Sequence, residues 1–121
     1  MPRRKGKRKI TIDRTTLISI VRNLNTMVVS LDRIGSSFAD DPKACDKATL
    51  RFLDSWWVWP KLSEMRSQLH DLFSSKAGPD GMGELERELQ DVPYWSQKHP
   101  VPPKEHVKKI RRRWALLRSR S

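Results

Sequence analysis

The chain has 121 residues, of which 36% are hydrophobic and 32% are charged, and it carries a formal net charge of +11. This length supports one modest core, and this composition excludes both a membrane-spanning protein and a uniformly disordered chain. The single cysteine, Cys45, excludes an internal disulfide and favours a reducing, intracellular compartment.

The positive charge lies at the two ends of the chain. Residues 1–14 carry a net charge of +6 and residues 101–121 a net charge of +7, whereas residues 15–100 carry −2. Two cationic blocks on a near-neutral body favour the binding of a polyanion. The basic start of the chain also predicts nuclear import, with a merely solvated tail as the alternative.

The first predicted helix shows the clearest periodicity. Its apolar residues step by three and four: Leu17, Ile20, Leu24, Met27, Leu31, Ile34 and Phe38, with Val21 and Val28 widening the face. This spacing is typical of a heptad seam, and Asp13, Thr15 or Thr16 can cap the start of the helix. The seam from Leu17 to Phe38 has an internal partner in Leu62 to Leu72, which favours an intramolecular bundle. A homo-oligomer formed through the same seam is the alternative.

Asp41 and Pro42 predict the start of a second helix, because aspartate suits the N-cap and proline suits the first turn. The apolar residues that follow keep the same spacing: Cys45, Ala48, Phe52, Trp56 and Trp59. Pro60 then predicts either a kink in one bent helix or a break with a restart at Pro60.

The segment "WWVW", residues 56–59, has two interpretations. Two of its three tryptophans are expected in the core, and the third, Trp57, is a candidate contact with a protein partner. The alternative is an aromatic platform that stacks bases or carbohydrate.

Glycine and proline divide the rest of the chain into a loop (76–83), a short helix (84–91) and a connector that Tyr94 and Trp95 are expected to hold against the body. The predicted class is all-α, a small helical bundle or helical hairpin with a long first helix, a Pro-kinked second helix, a short helix and a basic C-terminal amphipathic helix. Its predicted parts are a flexible basic arm (1–12), the bundle (13–92), a proline-rich connector (93–103) and a basic amphipathic helix (104–121).

The last predicted helix combines an apolar stripe with cations on its other faces. The stripe consists of Val107, Ile110, Trp114 and Leu117. It can dock on the protein's own bundle and leave a cationic face for phosphates, insert into an anionic membrane surface, or fill a groove on a protein partner. Trp114 is therefore a second candidate residue for a protein interface.

Residues that could support catalysis are few. The three histidines, His70, His99 and His106, are scattered and form no metal-binding spacing with Cys45. The chain also lacks a phosphate-cradling glycine loop and a nucleophile elbow. These observations predict a non-enzymatic protein without a metal or another cofactor.

The leading hypothesis is a nuclear, nucleic-acid-associated protein that binds the phosphates of DNA or RNA without reading base sequence. Its predicted contacts are Arg3, Arg4, Lys5, Lys7, Arg8, Lys9, Lys108, Lys109, Arg111, Arg112, Arg113 and Arg118. The helical body then serves protein interactions. The alternative is a structural adaptor subunit whose basic tails are import signals or docks for an acidic partner. A membrane partner is disfavoured.

Overall fold

The computed structural model describes residues 9–74 and 76–119. It contains five helices: α1 (Arg14–Ser37), α2 (Pro42–Ser55), α3 (Val58–His70), α4 (Glu84–Glu88) and α5 (Lys104–Ser119). The described residues include no strand, which confirms the predicted all-α class. The chain divides into two compact units, Met1–Leu85 and Glu86–Ser121.

Side-chain caps define the starts of the first two helices. Asp13 is the N-cap of α1, and its carboxylate accepts a hydrogen bond of 3.3 Å from the Thr16 N–H. Asp41 does the same for α2 with the Ala44 N–H at 3.1 Å, and Pro42 follows it in the first turn. Both caps satisfy a backbone donor that has no partner inside the helix, as predicted from the sequence.

A small core holds α1, α2 and α3 together as a three-helix bundle. Its buried residues come from all three helices: Ile20, Met27, Phe52, Val58 and Met65. Ile12, Ile34 and Leu53 pack against this cluster and are partly buried. The apolar face of α1 therefore packs against residues of the same chain, as the sequence favoured. Of the predicted partner face, Leu62 to Leu72, only Met65 is buried.

The apolar residues of α1 separate into two lines. Ile20, Met27 and Ile34, seven residues apart, face the core. The second line lies about 80° away around the helix axis. It consists of Leu17, Val21, Leu24, Val28 and Leu31, which we call the α1 stripe, and its side chains are between 42% and 64% exposed. The expectation that the whole seam packs inside the bundle is therefore wrong for the stripe.

The helical conformation is interrupted at Trp56 and Trp57, between α2 and α3 and before Pro60. Trp57 adopts a left-handed conformation with φ of 55°, which ends the regular helix. The Lys61 N–H donates the first hydrogen bond of α3, to the Trp57 carbonyl at 3.1 Å. Pro60 lies in the first turn, where a missing N–H leaves no bond unmade. A kink at Pro60 is not confirmed.

The segment from α3 to α5 contains the predicted loop and connector. The Gly81 N–H donates to the Gly78 carbonyl at 2.9 Å, and Gly81 has a φ of 78°, a conformation that suits glycine. The short helix α4 follows, and residues 92–103 contain no helix. Tyr94 and Trp95 are 75% and 71% exposed.

Because the core is small, the loss of one large buried side chain should strongly destabilise the bundle. Phe52→Ala should lower the free energy of unfolding by about 3 kcal/mol or more. Leu50→Ala, on the same helix but 68% exposed, should change it by about 0.5 kcal/mol or less. Urea unfolding followed by circular dichroism measures both. Equal effects would contradict the assignment of the core.

Candidate nucleic-acid interface

The strongest basic surface of the described residues is the charged face of α5. Lys108, Lys109, Arg111, Arg112 and Arg113 are all exposed. None of these five cations has an ion pair within 4.0 Å among the residues that the structure describes. Since neighbouring carboxylates do not neutralise them, they can contact an external polyanion.

The cations of α5 surround its apolar stripe. At 100° per residue, Val107, Ile110, Trp114 and Leu117 cover one side of the helix, and the basic residues occupy the rest of its circumference. Glu105 lies in the first turn and Arg118, which is exposed, in the last turn, where each charge is favourable with respect to the helix dipole. The segment is therefore a basic amphipathic helix.

The apolar stripe of α5 is largely accessible. Ile110, Trp114 and Leu117 are at least half exposed, and only Val107 is half-buried. The helix consequently presents cations together with an aromatic ring and aliphatic groups. Arginine and tryptophan side chains of this kind can contact both phosphates and unpaired bases.

The other predicted basic site is the N-terminal arm. Arg3, Arg4, Lys5, Lys7 and Arg8 lie outside the described residues. Lys9 is described and exposed. The prediction that this arm contacts phosphates therefore stays a prediction.

All three tryptophans of the segment 56–59 are exposed. Trp56, Trp57 and Trp59 are 54%, 68% and 64% exposed, and the buried residue of the segment is Val58. The expectation that two of the tryptophans lie in the core is wrong. The left-handed turn at Trp57 changes the helical phase before α3 begins, so spacing counted across residues 56–59 does not describe one face.

An open groove lies between α1 and α2, and we call it the α1/α2 groove. Its volume is about 620 Å³, within the range of roughly 300–1,000 Å³ that is usual for ligand sites. The lining residues are Ser30, Arg33, Ile34, Phe38, Ala44, Lys47, Ala48, Arg51, Phe52, Ser55 and Trp56. Three of them are cations and none is acidic. Sequence reasoning did not identify this site, because only the packing of α1 on α2 brings Arg33 opposite Arg51.

Two other kinds of site, a metal-binding cluster and a membrane-spanning helix, are absent from the described part of the chain. Residues 9–74 and 76–119 include no group of three His, Cys, Asp or Glu side chains placed to hold a metal ion. His70 and His99 are exposed, and His106 is half-buried. Over the same residues, every helix is too short or too polar to cross a bilayer.

Comparison with known proteins adds no functional assignment. No protein-family model matches the chain, and no curated protein and no solved structure shows significant similarity to it. The function of the chain is therefore inferred from its geometry and charge.

Because Trp57 is exposed and has a left-handed backbone, we expect its replacement by glycine to be tolerated. A non-glycine residue in this conformation costs roughly 1–2 kcal/mol, whereas glycine adopts it freely. Trp57→Gly should therefore leave the free energy of unfolding unchanged or raise it by about 1 kcal/mol. Thermal and urea unfolding of the variant measure this change. A clear loss of stability would show that the indole packs against the bundle.

Proposed function

We propose that the protein is a non-enzymatic nucleic-acid-binding protein that holds the phosphates of DNA or RNA through its basic termini. The observation that carries this proposal is the set of five exposed cations on α5 that form no ion pair with any other described residue. A polyanion satisfies them, because each neutralised phosphate releases condensed counterions and adds affinity that is independent of base sequence. The basic N-terminal arm is proposed to make the same kind of contact.

The proposed location is the nucleus or a nucleoprotein particle, where nucleic acid is the most abundant polyanion. Support comes from the basic start of the chain, residues 1–9, whose composition fits an import signal. The bundle has a net charge near zero and therefore contributes little to long-range attraction of phosphates. We propose that it binds protein partners.

Neutralising the α5 cations should abolish most of the salt-sensitive binding. The variant replaces Lys108, Lys109, Arg111, Arg112 and Arg113 with glutamine. Affinity for a generic duplex should fall at least tenfold at about 0.1 M salt, and the slope of log affinity against log salt should decrease by up to about 4. Fluorescence anisotropy titrations at several salt concentrations measure both quantities.

The matched control removes the same number of positive charges from the middle of the chain. It replaces Arg22, Lys43, Lys61, Arg66 and Lys76 with glutamine. If affinity depends on the α5 surface, this control keeps most of the binding. Equal losses in the two variants would mean that net charge alone drives association. Little binding by the unmodified chain at any salt concentration would instead favour the adaptor alternative.

A second candidate role, self-association, is favoured by the α1 stripe. Read as a heptad, the stripe has Val21 and Val28 at the a positions and Leu17, Leu24 and Leu31 at the d positions. β-branched residues at a with leucine at d favour parallel two-stranded coiled coils. The stripe carries no charge, so pairing of two stripes brings no like charges of the stripe itself into contact. The proposed occupant of this face is therefore a second copy of the chain.

The size of the stripe predicts a weak dimer. Five half-exposed Leu and Val side chains offer about 400 Å² of apolar surface per chain, roughly half of what one partner buries in a standard interface. Association should therefore be reversible and visible mainly at micromolar concentrations or above. A dimer would also bring two basic α5 helices to one nucleic acid, which raises the overall affinity by linkage.

Polar substitutions in the stripe should return the protein to a monomer. Light scattering after size exclusion should show a mass that rises with concentration for the unmodified chain and a constant monomer mass for Leu24→Gln with Val28→Gln. The control, Val29→Gln with Leu50→Gln, changes two exposed apolar residues outside the stripe and should still associate. A monomeric unmodified chain at high concentration would contradict the self-association role.

A further inference from the structure

The α1/α2 groove has a charge distribution that selects an anionic ligand. Arg33 lies on the α1 wall, and Lys47 and Arg51 lie one helical turn apart on the α2 wall. All three side chains are exposed, and none has an ion pair within 4.0 Å in the described part of the chain. None of the described residues that line the groove is acidic. An apolar or cationic occupant would leave these cations unsatisfied.

The floor of the groove is apolar and aromatic. Phe38, Phe52 and Trp56 contribute rings, and Ala44 and Ala48 contribute small side chains that leave room above α2. The rings of Phe52 and Trp56 contact each other at a centroid distance of 6.1 Å and an interplanar angle of 43°, so the buried phenylalanine supports the half-exposed indole. The indole is therefore held at the end of the groove with an accessible surface.

The length of the groove suits a short run of a linear polymer. The α2 wall extends from Ala44 to Trp56, a rise of about 18 Å at 1.5 Å per residue, and the α1 wall extends from Ser30 to Phe38, a rise of about 12 Å. At about 3.4 Å per stacked nucleotide, these lengths accommodate roughly three to five nucleotides. The groove is open to solvent along its length, which suits a chain that enters and leaves at both ends better than a small molecule that needs enclosure.

From these features we infer that the α1/α2 groove binds single-stranded nucleic acid, with bases against Phe38 and Trp56 and phosphates held by Arg33, Lys47 and Arg51. The combination of cations along a groove with accessible aromatic rings is the one that proteins use for unpaired strands. A duplex does not fit this role, because its bases are already stacked on each other and present only edges. The inference rests on the proposed function, and it names single strands as the substrate of a second site in the bundle.

The test compares two variants of the groove with matched controls. The first variant is Arg33→Gln, Lys47→Gln and Arg51→Gln, and its control is Arg22→Gln, Lys61→Gln and Arg66→Gln, which has the same net charge. The second variant is Trp56→Leu, and its control is Trp95→Leu in the connector. Circular dichroism identifies any variant that does not fold. The probes are a fluorescent oligothymidylate of about 15 nucleotides and a duplex of the same length, a size within the range seen for single-strand sites.

Single-strand affinity at about 0.15 M salt should fall at least tenfold in the triple groove variant, and roughly five- to a hundredfold in Trp56→Leu, because one stacked base is lost. Both controls should bind like the unmodified chain, and duplex affinity should change little in either groove variant. Oligothymidylate should also quench tryptophan fluorescence less in Trp56→Leu than in Trp95→Leu.

Unchanged single-strand affinity in both groove variants would overturn the inference. A second overturning result concerns acrylamide quenching of Trp56, measured as the part of the tryptophan fluorescence that Trp56→Leu loses. If an acidic amphipathic peptide protected this fluorescence and unlabelled oligothymidylate did not, the groove would bind a protein helix. Failure of the proposed function gives a different result. In that case the unmodified chain binds neither the duplex nor the single strand in a salt-dependent manner.

Discussion

The contact of Ile20 and Met27 on α1 with Phe52, Val58 and Met65 on α2 and α3 is the interaction on which the bundle depends. These five residues are the buried core of the described chain. Hydrophobic stabilisation is roughly proportional to the apolar area removed from water, so a core of this size leaves a narrow margin over the entropy of ordering three helices. The caps Asp13 and Asp41 increase the free energy of unfolding, because each accepts a hydrogen bond from a backbone N–H that has no partner inside its helix.

A small core also leaves many apolar side chains at the surface, and their positions suggest roles. The α1 stripe follows a heptad, the tryptophans of residues 56–59 surround the α2–α3 turn, and Trp114 interrupts the cations of α5. Scattered exposed apolar residues need no explanation, whereas ordered rows and clusters mark interaction surfaces. Trp114 adjoins exposed cations on α5, and Trp56 adjoins the cations of the α1/α2 groove, a combination that suits partners with both negative charge and flat apolar rings.

Charge confined to the ends and charge within the groove have different physical consequences. The termini carry all of the excess positive charge, which attracts a polyanion at a distance within the Debye length. The three groove cations lie within residues 15–100, where acids slightly outnumber bases and the net charge is −2, so these cations act mainly at contact distance. Association through α5 and positioning in the groove would therefore depend differently on salt.

Much of the architecture followed from local sequence patterns. Asp41 with Pro42 marked the start of α2, the three-four spacing from Leu17 to Phe38 marked α1, and the glycines of residues 76–83 marked the loop, because caps, periodicity and turn residues act over a few neighbouring positions. The basic face of α5 was predictable for the same reason, since 100° per residue places Lys108 and Arg112 together on any helix.

Burial was not predictable in the same way. Periodicity marks an apolar face but does not state which part of it another helix covers, so Met27 and Val28 looked equivalent until α2 and α3 were placed against α1. The left-handed turn at Trp57 changed the phase between α2 and α3 and exposed three tryptophans around a buried Val58. By itself the sequence determined the helices, their caps and the terminal charge. Only the tertiary structure decided which apolar rows were buried and brought Arg33 opposite Lys47 and Arg51, because those outcomes depend on contacts between residues distant in the chain.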